Sequence, residues 1–135
     1  MIPETDTMLN AAAGKLLMEI APNMAPGYSQ GSASTLAMVL ILSAQEYGRA
    51  AETRAWENDR MRSMLARAGL EVGEPAASLS IADLNAENAK LTRSLIALHE
   101  AVEAHAGPQD EALESEILDF LKESAARRRL YLPVL

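Results

Sequence analysis

Apolar positions recur at helical spacing in four stretches of the chain, and proline and glycine separate them. Leu9, Ala12, Ala13, Leu16, Leu17 and Ile20 form the first stretch, and Pro3, Glu4 and Asp6 suit a helix start. Pro22 ends the pattern, so a helix is predicted over about 3–21. Pro22, Pro26, Gly27 and Gly31 read as a loop, after which Ser32 or Ser34 can cap a second helix. No proline occurs from there to residue 68, so this helix is predicted to be continuous over about 32–68, with any bend at Gly48. Its first half is apolar all round and its second half is charged on one face.

Past a linker over 69–79, Ser80 and Asp83 form a start signal related to the capping box. The third helix, about 80–106, carries the clearest pattern: Ile81, Leu84, Asn88, Leu91, Leu95, Leu98, Val102 and His105, spaced alternately three and four residues apart. That is a heptad seam. Gly107 and Pro108 open a fourth helix, about 108–131, whose buried stripe is Leu113, Ile117, Phe120, Leu121 and Ser124. Its arginines, Arg127, Arg128 and Arg129, offset the dipole at its C-terminal end.

These elements predict an all-α, single-domain protein: a four-helix, largely antiparallel bundle with the second and third helices as a long central α-hairpin. Folding those two back on each other sets Asn58 level with about Lys90 and Arg54 with about Ser94. Polar residues then stand out on apolar stripes. Arg54 and Asn58 share a stripe with Tyr47, Ala51, Met61 and Leu65, Asn88 occupies the seam, and Asn85 and Thr92 flank it. Burying such a layer requires mutual hydrogen bonds, and a seam asparagine commonly fixes register. A pure register device predicts that Asn88→Leu leaves stability unchanged or raised. The alternative is a small-ligand site formed by Arg54, Asn58, Asn88 and Thr92.

Composition narrows the chemistry. The chain has 135 residues, a formal net charge of -7 and no cysteine. Net negative charge disfavours nucleic acid and anionic lipid as partners, and the lack of thiols excludes disulfides and cysteine-ligated metal. Aromatics are only 4% of residues, while alanine, leucine and methionine abound, which favours helix over sheet. The uncharged run between Glu19 and Glu46 is broken by Pro22, Asn23, Pro26, Gly27 and Gly31, leaving too few apolar residues for a membrane span. The first residues show no basic leader with an apolar core, so a cytoplasmic location is expected.

Gly27, Tyr28, Ser29, Gln30 and Gly31 match Gly-x-Ser-x-Gly and resemble the nucleophile elbow of cutinases and other α/β-hydrolases. The resemblance implies Ser29 as nucleophile, followed in chain order by an acid and a histidine, an order Asp83 and His99 or His105 satisfy. That elbow needs a buried strand running into the first glycine, and here Pro22 and Pro26 precede it, so a loop with Tyr28 against the bundle is the plainer reading. His99, Glu100 and Glu103 approach the zincin motif without its second histidine, and His105 sits six residues on, on another face. A His99–Glu103 helical pair and no metal or other cofactor are therefore expected.

The second helix outruns the first by about 15 residues, which leaves apolar face in search of a partner. The sequence thus points to a non-catalytic interaction or scaffold protein, expected to form a homodimer or to bind another helical protein. Tyr47, Trp56 and Met61 are its candidate interface residues.

Overall fold

The computed structural model describes residues 4–105 and 107–133, and among these every regular element is helical. Pro3 lies outside the described residues. No described helix is long and apolar enough to cross a membrane. Among the described residues five α-helices form: α1 (Thr5–Lys15), α2 (Tyr28–Tyr47), α3 (Ala50–Arg67), α4 (Ile81–His105) and α5 (Pro108–Arg128). The chain divides into two compact units, one running to Arg49 and joined by the segment from Leu130, the other Ala50–Arg129.

The expected first helix stays α-helical only to Lys15; residues Leu16–Ile20 widen into a π-type turn and Ala21–Asn23 tighten into a 3₁₀ turn. Pro22 explains the change, because it has no N–H to donate one turn back, and the Ala21 N–H instead reaches the Leu16 carbonyl. The next helix begins at Tyr28, earlier than the serine caps suggested. Gly27, at φ 145°, supplies a backbone that other residues rarely adopt, and its carbonyl accepts from the Gly31 N–H at 3.1 Å. Gln30 Nε2 donates to the Ala21 carbonyl at 3.0 Å and ties the start of α2 to the end of the preceding turn.

The continuous helix over 32–68 is not formed. Two residues, Gly48 and Arg49, leave it as a turn, so α2 and α3 are separate helices. The interruption falls at the glycine that weakens helix most in this stretch, with residual bonds from Gly48 to Ala44 and from Arg49 to Glu46.

In the first unit, α1 and α2 pack on each other, and every buried side chain there among the described residues is alanine: Ala13, Ala21, Ala33, Ala37 and Ala44. From the C-terminal segment, the Tyr131 N–H donates to Gln45 Oε1 at 2.9 Å and its carbonyl accepts from Gln45 Nε2 at 2.7 Å.

The second unit has a different interior. Met61, Met64, Leu65, Leu91, Leu95, Ile117 and Phe120 form one core drawn from α3, α4 and α5, with Trp56, Val72, Leu98 and Leu113 at its edge. The heptad seam of α4 is its buried face: Leu84, Leu91, Leu95 and Val102 are buried, while the end members Ile81 and His105 are exposed.

The expected central α-hairpin is overturned by the pairings between α3 and α4. Arg54 meets Asn85, Glu57 and Asn58 meet Asn88, and Met61 meets Thr92, with separations of 30 or 31 residues in every case. In a hairpin the sum of the paired numbers would stay constant; here the difference does, so α3 and α4 run parallel. The connection over 68–80 makes this possible. It can reach about 43 Å when extended, whereas α3 is about 27 Å long, and it returns along α3 with Arg62 Nη1 donating to the Val72 and Gly73 carbonyls at 3.3 and 2.8 Å. Ser80 then caps α4, its hydroxyl accepting from the Asp83 N–H at 3.2 Å. α5 runs antiparallel to α3, since Glu57 meets Ser124 and Arg128 whereas Arg67 meets Glu116.

Candidate functional site

The polar layer exists, and its centre is a residue the sequence reading passed over. Glu57 on α3 is 1% exposed. Arg128 on α5 grips it with a forked pair, Nε to Oε1 at 2.5 Å and Nη2 to Oε2 at 2.6 Å. Ser124 Oγ donates to Oε1 at 2.6 Å, Asn88 Nδ2 to Oε2 at 3.1 Å and Arg54 Nη1 to Oε2 at 3.4 Å. All three helices of the second unit thus converge on one carboxylate. Burial raises the Glu57 carboxyl pKa, but the Arg128 and Ser124 hydrogen bonds and the Arg128 and Arg54 charges outweigh it and hold the pKa below the ordinary carboxylate range.

A second carboxylate extends the layer toward the linker. Asn88 Nδ2 also donates to Asn58 Oδ1 at 2.9 Å, and Asn58 Nδ2 donates to the Leu84 carbonyl and to Glu87 Oε2, each at 3.0 Å. Glu87 is paired with Arg62 and accepts from the Ala76 N–H at 3.0 Å. Here too burial pushes the carboxyl pKa up, and the Arg62 hydrogen bond, the Ala76 N–H, the Arg62 charge and Asn58 bring it below its usual value. The network fastens the returning linker to α3 and α4 at once.

Of the expected ligand-site residues, Arg54, Asn58 and Asn88 are bonded to one another's partners, and Arg54 Nε donates to Asn85 Oδ1 at 2.8 Å. Thr92 Oγ1 donates to the Met61 sulfur at 3.7 Å. A cavity of about 230 Å³ does border the layer, lined by Glu57, Asn88, Thr92, Phe120 and Arg128 among others, but neither Arg54 nor Asn58 lines it. Because Asn88 serves an ionised carboxylate as well as an amide, Asn88→Leu is now expected to lower stability by about 1–3 kcal/mol. Urea unfolding that shows an unchanged or raised midpoint would restore the pure register device.

The expected interface residues part company. Met61 is 2% exposed and belongs to the core of the second unit, so it offers no surface. Trp56 stacks on Phe120 with centroids 5.7 Å apart, and the Arg127 guanidinium lies 4.1 Å from its ring centroid. Tyr47 is 59% exposed. Ser29 sits exposed in the first turn of α2, with no strand before it, and Tyr28 points to solvent rather than onto the helices.

Glu57 was legible in principle, because Thr53, Glu57, Met61 and Met64 share one helical stripe. Arg128 carried no such signal, since an arginine in a last helical turn already has a reason to be there. Comparisons of the chain with family models, with curated proteins and with solved structures found no match.

Proposed function

We propose that this protein is a non-catalytic helical scaffold that self-associates through the outer face of α2. The observation carrying this reading is the all-alanine interior of the first unit. Five buried methyl groups at about 0.8 kcal/mol each are small beside an ordering cost of roughly 1–2 kcal/mol per residue, even with half-buried leucines added. Four large apolar side chains of α2 face outward, Tyr28, Leu36, Val39 and Tyr47 each being at least 50% exposed. With Ser32 and Ser43 they fall within an arc of about 100° that contains none of the buried alanines. A second copy presenting the same face buries both stripes by a two-fold pairing, and two α1–α2 pairs together make an antiparallel four-helix bundle.

In this reading the second unit is a rigid body and its charged layer fixes three helices in register. The main alternative is a small apolar ligand in the cavity beside Asn88 and Thr92. The inward pairing of the polar groups favours the structural role.

Leu36→Lys with Val39→Glu is expected to convert a dimer to a monomer in sedimentation velocity, with helicity and the Trp56 emission of the second unit retained. A monomeric parent protein at tens of micromolar, or a dimer indifferent to these substitutions, rejects the assignment.

A further inference from the structure

A second cluster stands between α4 and α5, and its histidine lines the same cavity of about 230 Å³ as Glu57. His99 and Glu103, one turn apart on α4, and Glu114 on α5 each offer a ligand atom, and these three atoms lie within 4.8 Å of one another. His99 Nε2 stands 3.7 Å from Glu103 Oε1. That nitrogen is buried and has no hydrogen-bond partner, although a buried imidazole nitrogen ordinarily finds one. Arginine and lysine, which would neutralise the two carboxylates, form no ion pair with either among those found in the described residues.

We propose that His99, Glu103 and Glu114 form a binding site for a first-row divalent metal ion, with zinc the best fit. The chemistry of the set supports this. An imidazole nitrogen with two carboxylate oxygens suits zinc, and three protein ligands leave a fourth position for water. Metal–ligand bonds of about 2.0–2.2 Å place neighbouring tetrahedral ligands about 3.4 Å apart, so the His99–Glu103 pair is already near that spacing. Closing the remaining gap takes only side-chain rotation, and Glu103, 60% exposed, is free to make it. The ion would supply the missing partner of Nε2 and clamp α4 to α5. A search for paired histidines overlooks such a site, because its third ligand comes from the next helix.

The test uses the full, untagged chain stripped with EDTA. Calorimetric titration with zinc at neutral pH is expected to show one ion per chain, and substitution with cobalt(II) to give the visible absorption bands of a low-symmetry site. Glu114→Gln and His99→Ala are each expected to weaken zinc binding at least tenfold while circular dichroism stays unchanged. Should His99→Ala lose helicity, Glu114→Gln decides alone, since its amide keeps the shape of the side chain and Glu114 is only half-buried. Absence of a one-to-one event, or binding that Glu114→Gln leaves unaltered, overturns the proposal and leaves His99 and Glu103 as a helical ion pair.

Discussion

Arg128→Met is expected to lower the free energy of unfolding by about 3 kcal/mol, because it strands a buried carboxylate. The figure belongs at the lower end of what breaking a buried pair costs. Arg128 itself is 43% exposed, and Ser124, Asn88 and Arg54 still attend Glu57 after its removal. An ordinary surface ion pair contributes no more than about 1 kcal/mol, so the two cases separate cleanly in chemical denaturation. Glu57→Leu combined with Arg128→Met is expected to cost clearly less than the sum of the two single changes, since no uncompensated charge then remains inside. A loss below about 1 kcal/mol for Arg128→Met would mean that Arg128 is a surface decoration and Glu57 is held by its neutral partners.

Acid sensitivity should follow from the same layer. Glu57 and Glu87 both titrate below the ordinary carboxylate range in the folded chain, burial being outweighed by Arg128 and Ser124 for one and by Arg62 and the Ala76 N–H for the other. A depressed folded pKa means that the unfolded chain takes up protons first as pH falls. The stability these groups contribute is therefore complete above the unfolded value near 4.5 and is lost progressively as pH drops from there through the folded values. Each proton corresponds to a slope of roughly 1.4 kcal/mol per pH unit. Glu57→Gln should lower stability at neutral pH and also flatten the acid limb by up to that slope. An acid limb as steep as the parent's would show that Glu57 does not carry the dependence.

Part of this architecture is legible in the sequence alone. The alternation of threes and fours in α4 identifies its buried face, and Gly107 with Pro108 locates the start of α5 within a residue. Local signals sufficed there because the relevant physics is local: side-chain periodicity and backbone permissiveness. Helix direction is a different kind of property. Nothing in residues 68–80 announces that the linker returns along α3 instead of turning at its end, since both routes need polar, glycine-containing chain. What decides it is a long-range fit, Arg62 with Glu87 and the linker carbonyls, that no short window contains. The same limit applied to the charged layer. Asn58 and Asn88 were found as polar intruders on apolar stripes, whereas Arg128 looked satisfied by its own helix.

The forked pair joins residues 71 positions apart, with the carboxylate made first. At a synthesis rate of about 5–20 residues per second, Glu57 waits about 4–14 s for its counter-charge. During that interval α3 and α4 can meet through Asn58, Asn88 and Leu91, but seating Glu57 between them would bury an anion short of its strongest partner. The core of the second unit is therefore expected to close only once α5 has been made, which pulse proteolysis of arrested nascent chains ending before and after Arg128 would check.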